Sequence, residues 1–239
     1  MVPRRWFLLN RQVMGKKIIK IISGVALIPF CIGFTWQFVS MTGTLHYKPD
    51  TPYVFLGGGL VYLTIHVLFN KPILTYVIGH ELTHAFFAML FGGSVKSFHA
   101  SDRGGRVTIT KSNFIITLAP YFFPLYTFIA LVLYWIAGVA EFHGTTLAVL
   151  VFLSGASFMF HLILTFIFLQ TDQNDIREEG AVFSYPLIYL FNVAFGALLV
   201  NIYLADNMDY LVFLVGGIIK SINMFSLLLK KIYLLLSAL

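Results

Sequence analysis

Apolar residues run along this chain in long blocks separated by short polar connections. Seven blocks stand out: Ile18–Val39, Tyr53–Phe69, Pro72–Phe91, Asn113–Gly138, Thr145–Leu169, Phe183–Leu204 and Tyr210–Leu239. Each reaches or approaches the ~20 residues that a membrane helix needs. The second block is short, and Asn70-Lys71-Pro72 reads as a tight turn into the third, with Pro72 suited to the first helical turn. Lys220, Lys230 and Lys231 in the last block place part of it at the interface or let it snorkel. Pro120 and Pro124 interrupt the fourth block. Each removes a backbone hydrogen bond, which a membrane tolerates only where protein or a watery cavity satisfies the freed group.

Two connections carry a pattern of their own. Ser94–Phe98 and Arg106–Thr110 are short β-like pieces joined through Ser101-Asp102-Arg103-Gly104-Gly105, which reads as a hairpin. Gln170–Gly180 holds Asp172, Asp175, Arg177, Glu178 and Glu179, the densest acidic patch in the chain. The expected fold is an all-α polytopic membrane protein of six to seven transmembrane helices, with a small β-hairpin after the third block. No internal repeat or low-complexity tract appears, so residues 1–239 read as one domain.

Composition sharpens this picture. The chain is 59% hydrophobic and only 11% charged, against about 25% charged for a soluble domain. An integral, multi-pass protein follows, in the cell membrane if the chain is prokaryotic. The net charge of +6 resides in residues 1–20, where Arg4, Arg5, Arg11, Lys16, Lys17 and Lys20 meet no acid. That segment reads as a positive-inside signal attracted to anionic headgroups of the lipid bilayer. It is too charged and too long for a cleaved signal peptide, and nucleic-acid binding, which needs a soluble basic face, is not expected. The Gly92–Lys111 loop is basic as well, although three crossings would separate it from the amino terminus. Cys31, the single cysteine, excludes an intrachain disulfide and a cysteine-based zinc cage.

Candidate chemistry sits in the third block, where residues 80–84 read His80-Glu81-Leu82-Thr83-His84. Ionisable groups at membrane depth are costly, and such a cluster is a functional-site hypothesis by default. Glu81 is the one acidic residue between Tyr53 and Ser101. On a helix, residues four apart share a face, so His80 and His84 can reach one metal ion. Glu81 projects about 100° away from His80, beside the metal, where a general base for a zinc-activated water belongs. A catalytic Zn2+ takes three protein ligands. By parity, Gly92–Lys111 and Gln170–Gly180 lie on one membrane side, which makes Asp172 or Asp175 the candidate third ligand.

The HExxH block, followed by Phe91-Gly92-Gly93, a β-like piece, Gly104-Gly105 and a second β-like piece, resembles the site-2 protease type of intramembrane zinc metallopeptidase (peptidase family M50). The resemblance covers residues 72–180, the expected catalytic core, and is to the short branch without a PDZ domain. It implies that His80 and His84 bind zinc, that Glu81 activates water, and that an aspartate from a later helix completes the site. Two positions depart from the family pattern. Thr83 stands where glycine is usual, and neither Asp172 nor Asp175 precedes a glycine.

The expected activity is zinc-dependent hydrolysis of a peptide bond in a membrane-associated protein or peptide substrate. The alternatives are a metal- or proton-translocating transporter that uses the His/Glu cluster, and an inactive scaffold relative. An extended substrate strand would pair with the hairpin around Val107 and Ile109, while Asn113 and the Pro120 and Pro124 breaks would line a cavity for water and substrate. His66 and His161 read as interhelical hydrogen-bonders and secondary ligand candidates, and Asn192 and Asn201 as interhelical hydrogen-bonders. His46, His99 and His143 fall in connections.

Overall fold

A computed structural model describes residues 4–69 and 71–237, with side chains described from residue 14 onward. The side chains of Arg4, Arg5 and Arg11, and Asn70 of the expected turn, lie outside the described residues. The elements are α1 (Arg4–Thr42), α2 (Thr51–Leu68), α3 (Ile73–Leu90), β1 (Val95–Ser101), β2 (Gly104–Ile109), α4 (Phe114–Phe122), α5 (Leu125–Val139), α6 (Thr145–Leu169), α7 (Asn174–Glu179), α8 (Ala181–Leu199) and α9 (Tyr210–Ser237). A π-helical turn, Val200–Leu204, continues α8. Among the described residues, six helices are long and apolar enough to cross a membrane: α1, α2, α3, α6, α9, and α8 with its π turn. The described residues are thus mostly helical, as a polytopic membrane protein requires, and include one two-stranded antiparallel sheet that follows α3. The fourth apolar block becomes the pair α4 and α5, bent by 75° at Phe123 and Pro124, where proline cannot continue the first helix.

The chain packs as two compact units. One comprises α1, α7, α8 as far as Ala197, and α9; the other comprises Leu45–Gln173 together with Leu198–Met208.

In the first unit α1 and α9 run antiparallel, with Phe213 edge-on to both Phe34 and Phe38 and Gly33 against the backbone of Ser221. α1 and α8 run parallel. The Cys31 thiol donates to the Pro186 carbonyl at 3.3 Å, and the hydroxyls of Thr35 and Tyr189 are 2.7 Å apart. Pro186 removes the N–H that would bond the Val182 carbonyl one turn back, and Gly24 packs directly on that carbonyl.

In the second unit α2 and α6 run parallel. Gly58 lies against the backbone of Phe152, and Gly155 lies against the backbone of Phe55. Small residues at such a seam let two helices approach to backbone contact, where dispersion replaces the missing hydrophobic drive. Tyr62, Tyr76, Phe160 and Leu164 form the buried cluster beside it. α5 runs antiparallel to α6, pairing Tyr126 with Phe160 and Thr127 with Ser157. α3 also opposes α6, since Tyr76 in its second turn packs on Phe160 and Phe168.

These directions correct the parity expectation. Lys111 donates to the Phe91 carbonyl at 3.2 Å, so the hairpin begins and ends at the carboxyl end of α3. α4 enters from that end, and α5 returns to it where α6 starts. The bent pair is thus re-entrant, and the connections at Gly92–Lys111 and after Leu169 leave opposite ends of the unit. β1 and β2 pair from Val95↔Ile109 to Ser101↔Gly104, three residues further toward the tip on β1 and two on β2 than the sequence pieces suggest. The hairpin folds back along α3, bringing Gly105 against Val77 and Glu81.

A Cβ at Gly155 would fall on the Phe55 backbone, which cannot yield as a flexible side chain does. Gly155→Ala is expected to destabilise the protein by about 1–3 kcal/mol, measured by thermal unfolding in detergent, while Gly138→Ala, with nothing within 4 Å of its Cβ position, serves as the silent control.

Candidate metal centre

α3 presents His80 and His84 on one face, as the four-residue spacing requires. Their Nε2 atoms are 3.2 Å apart. Two imidazole nitrogens, each ~2.05 Å from a tetrahedral cation, lie about 3.3 Å apart, so the pair already has the separation that a shared ion imposes.

The tautomer of His84 is fixed from outside the helix. Its Nδ1 lies 2.8 Å from the carbonyl of Ile116 in α4. A carbonyl only accepts, so Nδ1 carries the proton and Nε2 keeps its lone pair for a metal. That carbonyl is available for a reason written in the sequence. The residue four positions on is Pro120, which has no N–H to complete the helical bond. Asn113 completes the arrangement from the other side. It is the N-cap of α4, and its side-chain oxygen accepts from the Ile116 amide at 2.9 Å. One capped, proline-interrupted turn thus aims a free carbonyl at a histidine. The structure places Asn113 in this supporting role.

Around these groups the site is mostly closed. Glu81 and His84 are 7% and 8% exposed. Thr83 is buried and donates to the Gly79 carbonyl at 2.7 Å, which satisfies its hydroxyl. Tyr121 meets the His80 ring edge-on at 5.1 Å between centroids. Gly105 lies so close to Glu81 that a Cβ there would come within 2.6 Å of its Cγ and 2.8 Å of its Oε1. Only a glycine lets the hairpin rest on the Glu81 carboxyl. Next to His80, a cavity of about 20 Å³, lined in part by Thr83, Pro120, Ser157 and His161, has room for about one water molecule.

One ligand atom from each of His80, His84 and Asp175 lies within 4.8 Å of the other two, so this group could hold a metal ion. Two imidazoles and a carboxylate suit a first-row divalent cation. Asp172 is exposed and stands outside the group. His66 also stands outside it, with Nδ1 3.1 Å from the Tyr62 hydroxyl. His161 shares the small cavity, but α6 ends at Leu169, so His161 and Asp172 do not lie on one continuous helix. Asn192 bonds the Ile188 carbonyl in its own helix at 2.9 Å, and Asn201 donates to the Met208 carbonyl.

The Ile116 carbonyl, Tyr121 and the contact of Gly105 with Glu81 had no place in the sequence reading. A proline four residues after Ile116 was the visible signal for the first, whereas Gly105 signalled only a turn. No protein-family model, curated protein or solved structure matches this chain.

Replacing Pro120 restores a competing N–H for the Ile116 carbonyl. Pro120→Ala is expected to weaken metal binding about 10- to 100-fold, read by chelator competition. Unchanged affinity would mean that the Ile116 carbonyl does not hold His84 in place.

Proposed function

We propose that the protein is an intramembrane zinc metallopeptidase of the site-2 protease type, hydrolysing peptide bonds of membrane-associated substrates. The observation that carries this reading is the His80–His84 pair at 3.2 Å with the buried carboxyl of Glu81 beside it. His80, His84 and Asp175 are the ligands in this reading. Zinc held there supplies Lewis acidity toward water and toward a carbonyl oxygen.

The chain's own residues do the rest. Glu81 accepts the proton of the attacking water and delivers it to the departing amine nitrogen, so the peptide becomes a carboxylic acid and an amine. Burial under the hairpin excludes bulk water and keeps the carboxyl aimed. The Ile116 carbonyl holds His84 in the tautomer that ligates.

Substrate presentation follows from backbone chemistry. A membrane helix hides its peptide bonds in internal hydrogen bonds, and cleavage requires that they be opened. The β1–β2 sheet has two strands, so each keeps an outer edge able to pair with an extended substrate. Val107 and Ile109 lie on β2, which leads to Gly105 and Glu81.

Glu81→Gln is expected to retain bound zinc while lowering turnover at least ~10²-fold, whereas His80→Ala and His84→Ala lose both metal and activity. Asp175→Ala lowers zinc content as His84→Ala does, and Asp172→Ala leaves it unchanged; metal analysis of the purified variants decides. Full hydrolysis by Glu81→Gln would remove the residue from the reaction. Proline at Val107 or Ile109 takes away a backbone donor, so cleavage should fall with zinc content intact. Unchanged turnover in both proline variants would exclude strand pairing at β2.

A further inference from the structure

The outer face of the hairpin carries a charge that the HExxH motif does not use. Successive side chains of a strand point to opposite faces, and Gly105 fixes which face is which, because its missing Cβ is aimed at Val77 and Glu81. Val107 and Ile109 follow on that α3 face and are half-buried, whereas Arg106 and Thr108 take the opposite face and are exposed. Across the ladder Thr108 is met by Ser97, whose hydroxyl donates to it at 2.8 Å. Arg106 is met by His99, which has no negative charge to offer.

Depth makes this arginine costly. α3 is long and apolar enough to cross a membrane, and Gly105 rests on it at Val77 and Glu81, near the middle of Ile73–Leu90. Arg106 is the next residue, so its side chain leaves the strand beside the middle of the span rather than at an end. An ionisable group at that depth faces a watery cavity or an opposite charge, and it marks a functional site by default. Between Asp50 and Glu141 the only acids in the sequence are Glu81 and Asp102. Glu81 lies under the other face of the hairpin, and Asp102 lies in the turn at its tip. Neither strand places an acid on the face of Arg106.

We propose, on the reading of the protein as a peptidase that pairs an extended substrate with β2, that Arg106 selects substrates carrying an acidic side chain next to a small residue. A strand added to β2 presents its side chains alternately to the two faces. The side chain abreast of Gly105 points at Glu81, where the hairpin itself has room only for hydrogen, so it must be small. Its neighbour in the substrate chain falls abreast of Arg106 on the other face. A carboxylate there accepts a charge-assisted, bidentate bond from the guanidinium, and opposite charges abreast on neighbouring strands attract. Each charge also relieves the cost of the other at this depth. The substrate class is thus an extended acidic segment in which Asp or Glu adjoins Gly, Ala or Ser.

The test measures binding of fluorescent peptides of alternating valine and threonine, with a central Ala-Glu, Ala-Gln or Ala-Lys, to the full chain in detergent. Glu81→Gln is the form used for binding, since it leaves the peptides uncut. It is expected to hold the Ala-Glu peptide about fivefold more tightly than the Ala-Gln peptide. In that background Arg106→Glu should reverse the order and favour Ala-Lys over Ala-Glu, a gain that a misfolded variant cannot show. Arg106→Lys keeps the acidic preference, and so does Arg103→Gln, which removes a charge from the tip and none from the paired edge. Equal binding of the Ala-Glu and Ala-Gln peptides, binding of neither, or loss of the preference in Arg103→Gln would overturn the inference. Cleavage by wild type separates it from the reading on which it rests. Hydrolysis of Ala-Glu and Ala-Gln peptides at equal rates would keep the peptidase and remove the role of Arg106, whereas charge-selected binding without hydrolysis would keep that role and remove the peptidase.

Discussion

The candidate metal centre depends on one backbone carbonyl that its own helix cannot use. Pro120 leaves the Ile116 oxygen without a helical donor, and in an apolar layer an unsatisfied carbonyl is costly. His84 Nδ1 meets that cost. The bond does three things at once: it satisfies the carbonyl, locks the imidazole tautomer, and ties α4 to α3. The 75° bend between α4 and α5 has the same origin, because Pro124 closes what Pro120 begins. A feature that weakens a helix therefore positions a ligand.

Close approach is the second constraint, and glycine sets it. Gly155 and Gly58 bring α2 and α6 to backbone contact, and Gly105 lets the hairpin settle on Glu81. The hairpin brings backbone polar groups to the depth of the HExxH motif, where open sheet edges are tolerated only against protein or water. If the protein cleaves peptide bonds, the substrate strand would be delivered next to the base by the element that shields the base.

Charge is handled differently in the other unit. There Lys16, Lys17, Arg177 and Glu178 lie near the starts of α1 and α8, and buried Glu179 pairs with Lys20 at 2.7 Å. Lys16, Lys17 and Arg177 are exposed. The two units thus put ionisable residues to opposite uses: a small, enclosed set within α3, and an open, basic set at the mouth of α1 and α8.

Much of this was legible in the sequence because membrane helices are specified by long local runs of apolar residues. Six of the blocks reappear as helices with boundaries shifted by a few residues apart from the basic extension of α1, the fourth appears as the bent pair α4 and α5, and a two-stranded antiparallel sheet follows α3. The pairing of His80 with His84 follows from helical spacing alone. Tertiary structure decided the rest. Parity counting put the hairpin and the Gln170–Gly180 connection on one side because it took the proline-broken fourth block for a full crossing. A break in hydrogen bonding is visible locally, but whether the chain goes on or turns back depends on what α5 packs against. Similarly, Asp172 and Asp175 are indistinguishable by composition, and only the structure tells them apart: Asp172 is exposed, while Asp175 falls in a group with His80 and His84 that could hold a metal ion. The partner of His84 is a main-chain oxygen, which every residue has. Sequence can say that Pro120 frees it, but only the packing of α4 on α3 says what it then binds.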